Sequence, residues 1–290
     1  MIGLNQRIRR IFAGAALLAV SLSASAFKPA PLPPQPQTSE DVPVEIATAP
    51  VDQKRVRKNS IATIGNDSTF YVQASGGSAF TTILLGPIGA LINEQNIKKR
   101  TAREATQISD AVPDARALLA APVAAYNASA RGATAKITPY FVYVRPKKRD
   151  LVYGRLTLDV EYAGWVGRYS YHYAPVTVEQ FQAGHNEEQA RAFAAETERG
   201  AAQLLRLFNA EAHRRTGPVE SAMVSCWPLI VIFDLPLPLG LRGQFEDRPV
   251  LVGQGTPLDH KAMLSLMVGT HLIPADQFVV DKRKGEVPQL

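Results

Sequence analysis

The chain predicts an α+β fold: a mainly antiparallel sheet, its centre a three-strand meander over about residues 135–174, with helices packed on one face. Three observations predict it. Residues 154–162 (GRLTLDVEY) and 166–173 (VGRYSYHY) alternate polar and apolar without a break, the period of a strand. Residues 186–217 repeat their apolar positions at helical spacing. The polar side of each strand argues against a parallel sheet buried on both faces.

The chain opens with Arg7, Arg9 and Arg10 and no acid, then the apolar run Ile11–Leu22, then Ala24-Ser25-Ala26. Basic, apolar and small-x-small blocks in that order are the layout of a secretory signal peptide over 1–26, cut after Ala26. The apolar run is short of the roughly 20 residues that cross a bilayer. Phe27 follows the cut, so no cysteine stands there for lipid attachment. The formal charge of +6 loses three arginines with the signal and falls to about +3. That modest balance excludes a nucleic-acid polyelectrolyte.

Residues 28–50 hold seven prolines, which remove backbone donors and favour extended chain. The expectation is a semi-rigid linker over 27–59, with an α+β domain over 60–217. Ser68–Ala74 is a strand candidate ahead of the run SGGSAFTTILLGPIGALINEQNIKKR at 75–100. The glycines there form neither G-x-x-x-x-G-K-[ST] nor G-x-G-x-x-G, so a nucleotide site has little support. Ala79–Ile92 would make a helix of only about 21 Å at 1.5 Å per residue, too short to span. Two readings stand. One is a tightly turned core segment. The other is a contact with a membrane or partner through Ile83, Leu84, Leu85, Ile88 and Leu91, flanked by Lys98, Lys99, Arg100 and Arg103.

Residues 94–130 read as helical, divided by Pro113 and Pro122. Ala135–Val144 reads as the first strand of the meander. Taking Ala163-Gly164 as a two-residue hairpin loop fixes the register of the next two. Asp159 then faces Arg168, Thr157 faces Ser170 and Arg155 faces His172 on one face. Leu158–Tyr169 and Leu156–Tyr171 share the other, and a slip of one residue would destroy that separation. Arg155, Asp159, Arg168 and His172 are thus a polar sheet-face cluster, expected to be solvated and worth under about 1 kcal/mol per pair.

Asn186, with Gln189 three residues on, forms a capping box for a helix whose apolar stripe runs through Phe193, Ala201, Leu204, Leu205, Phe208 and Ala212 to Gly217-Pro218. Beyond it lies a strand-rich C-terminal extension over 218–281, packed on the domain, with candidates at 229–233, 248–253 and 262–268. Residues 282–290 are a frayed tail.

Cys226 is the only cysteine, so no intramolecular disulfide forms, and it reads as a small buried hydrophobe. The five histidines, 172, 185, 213, 260 and 271, show no metal-ligand spacing. No catalytic, cofactor or metal residues are assigned, and no cofactor is expected. Basic clusters recur at 55–58, 98–103, 145–149 and 282–284; converging, they would attract an anionic partner. The reading is an exported, periplasmic protein without a catalytic centre. It would bind an anionic membrane surface, an envelope polymer or an envelope protein. The competing reading is a periplasmic hydrolase using His172 or His260 with a nearby carboxylate.

Overall fold

The computed structural model describes residues 27, 29–49, 61–73, 98–106, 112–146, 149–184, 186–226, 237–254 and 268–280. The signal-peptide reading, the apolar run with Ile83, Leu84, Leu85, Ile88 and Leu91, the strand candidate at 229–233 and His260 lie outside the described residues.

Among the described residues the chain is mixed α/β, with a twelve-stranded, largely antiparallel open sheet. Its strands are β1 (Val44–Ile46), β2 (Ile61–Thr63), β3 (Thr69–Gln73), β4 (Ala135–Pro146), β5 (Leu151–Tyr162), β6 (Trp165–His172), β7 (Val176–Thr177), β8 (Glu220–Cys226), β9 (Leu237–Phe245), β10 (Arg248–Val252), β11 (Thr270–Leu272) and β12 (Phe278–Val280). The main order is β12-β8-β9-β10-β11-β6-β5-β4-β3-β2, with β1 added to β4 and β7 to β5. The helices are α1 (Ala115–Asn127), α2 (Val178–Ala183) and α3 (Glu187–Ala212), besides a helical segment at 98–105.

The β5–β6 register is the one the alternation predicts: Asp159 opposite Arg168, Thr157 opposite Ser170, Arg155 opposite His172. Ala163 (φ 47°) and Gly164 (φ 79°) supply the two left-handed positions of the tight turn. Strand β4 pairs antiparallel with β5, so Tyr140 stands opposite Thr157 and Thr138 opposite Asp159.

Helix α3 begins as its sequence predicts. The Asn186 side chain accepts from the Gln189 amide at 2.9 Å, and the Gln189 side chain accepts from the Asn186 amide at 3.0 Å. It ends at Ala212, five residues before Gly217. Arg214 takes the left-handed conformation (φ 59°) that glycine usually supplies, and the Arg215 amide closes on the Ala210 carbonyl at 2.7 Å. The main core joins Ala201, Leu204, Leu205 and Phe208 of α3 to Leu156, Leu158, Tyr169 and Tyr171 of the sheet. Each such large side chain contributes about 1.5–3 kcal/mol of burial.

Three sequence expectations change. Residues 29–49, assigned to the linker, pack on the fold: Val42, Val44 and Ala47 are buried, and β1 runs parallel to β4. Prolines describe the stiffness of this arm, not whether a groove holds it. The C-terminal strands, expected as a packed extension, continue the same sheet, because β11 pairs in parallel with β6. Finally, the polar sheet face is dry. Arg155, Asp159, Arg168 and His172 are each 1–3 % exposed. The sheet curls back on itself: Gln277, just ahead of β12, donates to the Tyr173 carbonyl just beyond β6 at 2.7 Å, although β12 and β6 stand five strands apart in the sheet order. Alternation marks a polar face, not a wet one: polar groups can be buried where they are hydrogen-bonded to one another.

Candidate functional site

The buried polar layer is built from facing rows of β4, β5, β6 and β11. Arg168 donates through Nε to one Asp159 oxygen at 2.7 Å and through a terminal nitrogen to the other at 3.0 Å, a bidentate pair. The Tyr140 hydroxyl donates to Asp159 at 3.3 Å, and Thr157 and Ser170 hydroxyls meet at 3.2 Å. Nε2 of His172 meets Nδ1 of His271 at 3.2 Å, across the seam between β6 and β11.

Burial dominates the electrostatics here. It lowers the Arg155 guanidinium to about 10, with Arg168 adding to the effect. Burial is the largest single influence on Arg168 and acts to lower it, but the charge and hydrogen bond of Asp159 together with Tyr140 outweigh it and hold the guanidinium above its ordinary value. His172 is held well below the usual histidine range by burial first, then by Arg155, His271 and Arg248. Its imidazole is therefore neutral at physiological pH. A neutral histidine can act as a base, but the hydrolase reading calls for an orienting carboxylate, and the nitrogen of His172 meets a second histidine instead.

A second buried knot ties α3 to the sheet. Glu211 accepts from the Tyr169 hydroxyl at 2.6 Å and from Thr270 at 3.2 Å, and pairs with Arg242. This knot borders a small cavity, with room for about one water, walled by Trp165, Val252 and Pro31 of the arm.

The basic candidates lie elsewhere. Lys98, Lys99 and Arg103 are exposed on the helical segment at 98–105. That segment is anchored by Ala105 in the core and by Thr101, whose buried hydroxyl accepts from the Val72 amide at 3.3 Å. Arg100 turns back to Glu104 at 2.7 Å. The other Glu104 oxygen takes Arg145 at 2.6 Å. One carboxylate thus joins the basic cluster at 98–103 to the one at 145–149, across 41 residues of sequence.

The structure places Arg155, Asp159, Arg168 and His172 together on one buried face, and two of the basic clusters come together. His271, Tyr140 and Glu104 escaped the sequence reading. Tyr140 was legible in principle, because extending the β5–β6 register to β4 places it beside Asp159. His271 sits in a three-residue strand that carries no periodicity. Searches against protein-family models, curated proteins and solved structures found no match.

Proposed function

We propose that this is an exported protein of the cell envelope that acts by binding, with the joined basic surface of Lys98, Lys99, Arg103 and Arg145 as its contact for an anionic membrane surface. The observation that carries the reading is the Glu104 bridge, which gathers two basic clusters with three exposed cations on one helical segment. In this reading the chain is cut after Ala26. Strands β4, β5 and β6 act as a rigid meander, lined by helices on one face, that presents the basic segment. The buried charges serve architecture, since Asp159, Arg168 and Glu211 are held in internal pairs.

Magnitudes sharpen the reading. Each basic residue near an anionic leaflet contributes about 1 kcal/mol, so three exposed cations supply roughly 3 kcal/mol, or about 150-fold in affinity. That is too little for stable attachment, so this reading needs the apolar residues Ile83, Leu84, Leu85, Ile88 and Leu91 as a second source of membrane affinity.

Fractionation of the envelope tests this. The expected result is a membrane pool that resists a high-salt wash, with vesicle binding by the purified protein that falls about 100-fold when Lys98, Lys99 and Arg103 are all changed to glutamate. A wholly soluble pool, together with vesicle binding indifferent to those changes, overturns the reading.

A further inference from the structure

The arm at 39–49 is held in an unusual manner: side chains of the two long helices are aimed at its main chain. At the end of α1, Asn127 both accepts from the Val44 amide at 2.9 Å and donates to the Val44 carbonyl at 2.7 Å. From α3, Asn209 accepts from the Val42 amide at 3.2 Å and donates to the Asp41 carboxylate. Arg215 reaches the Ser39 carbonyl at 3.1 Å, and the His213 ring sits 3.0 Å from the Glu40 carbonyl. Arg116 holds the Ala47 carbonyl at 3.1 Å and the Ala49 carbonyl at 2.9 Å.

The body's own backbone completes the set. The Arg131 amide donates to the Asp41 carbonyl at 3.0 Å and the Ala135 amide to the Pro43 carbonyl at 2.8 Å. The Ala47 amide donates to the Ile137 carbonyl at 2.8 Å. Pro43 falls where the arm offers only a carbonyl, so its missing N–H costs nothing. Side-chain selectivity rests on Val42, Val44 and Ala47, which are buried, and on Asp41, whose carboxylate accepts from Asn209, while Glu45 points to solvent.

An ordered chain end can be fastened by burying its side chains alone. Here a bidentate asparagine reads one residue's amide and carbonyl, and four further side chains read main-chain atoms at neighbouring positions. That is how a groove recognises an extended polypeptide, with a strand added at a sheet edge and pockets for alternate side chains. We propose that the cleft between α1, α3 and the edge of β4 is an extended-peptide-binding site, and that residues 39–47 are its resident ligand, held in cis. The ligand class is an extended segment of the pattern Asp-Val-Pro-Val-x-x-Ala. The occupant it takes in trans is the same segment from a second copy of this chain. The site is separate from the basic surface and does not depend on the membrane reading.

Tethering sets the competition. A resident segment on a short connection is present at an effective concentration of about millimolar, so it excludes a free peptide of micromolar affinity by roughly 100-fold or more. The test disables the resident segment and leaves the groove intact. Val42→Asp and Val44→Asp are introduced together into the full chain, and a fluorescent peptide with the sequence of residues 38–49 is titrated into this variant and into the wild type.

The expected result is saturable binding to the variant, at least 100-fold weaker binding to the wild type, and a higher Tm of the variant with peptide present. If the variant does not fold alone, refolding with the peptide recovers it. A peptide N-methylated at the position of Val44, which cannot donate to Asn127, binds at least 10-fold more weakly. One carrying lysine at the position of Glu45 binds as well as the parent. The proposal is overturned if the peptide neither binds nor rescues the variant, if it binds wild type and variant equally, or if the N-methylated peptide binds undiminished.

Discussion

Changing Asp159 to alanine leaves the Arg168 guanidinium buried without its bidentate partner and also strips the acceptor from Tyr140. Breaking one side of a buried ion pair costs about 3–5 kcal/mol, whereas replacing both sides with well-packed apolar groups is often neutral. Denaturant unfolding is therefore expected to show a loss of that size for Asp159→Ala. Most of it should return in Asp159→Leu combined with Arg168→Met. His172 carries a pH signature. Its proton affinity is lowered in the folded chain by burial, Arg155, His271 and Arg248, so the unfolded chain takes up the extra proton. Stability from this group is fully present above the unfolded value of about 6.5 and is lost as pH falls below it, by up to about 1.4 kcal/mol per pH unit. His172→Gln should flatten the fall between pH 6.5 and 5 by close to one proton. An unchanged slope would mean that His172 is not a source of the pH dependence. The residues of this layer were legible as a group, but their burial was not: the alternation of β5 and β6 does not say that the far edge of the sheet curls back to the end of β6.

At the scale of elements, Gly200 in α3 weighs two effects against each other. Alanine there would favour the helix by about 1 kcal/mol. Its methyl group would stand 2.6 Å from Cδ1 of Tyr171. That ring has little room to yield, since its hydroxyl donates to Glu196 and Arg248 lies over its face at 3.9 Å. Overpacking of this kind costs about 1–3 kcal/mol, so Gly200→Ala should lower the Tm, although the same change at an exposed helical site raises stability. The elements best read in advance were those with long, unbroken periodicity: β4, β5, β6 and α3 with its capping box. Strands β1, β2, β11 and β12 have three residues each, too few for alternation to register. The burial of the second half of α3 on nearly every side was equally hidden, because the arm covers Asn209 and the β9–β10 hairpin covers Gln203 through Asp247.

For the whole molecule, the arm and the joined basic surface make separate predictions. The glutamate changes at Lys98, Lys99 and Arg103 should lower vesicle binding about 100-fold and shift unfolding stability by no more than about 0.5 kcal/mol per site, as surface substitutions do. The changes at Val42 and Val44 should do the reverse. A single variant that still folds and damages both properties would show that arm and surface are one functional unit. The position of β11 reaches further. Residues 270–272 close the flank of β6, whose other flank is β5. Closing that flank therefore joins residues 169–171 to residues 270–272, far apart along the chain. Such distant pairing makes for slow completion of the sheet, so β6 is expected to gain its second neighbour late in folding.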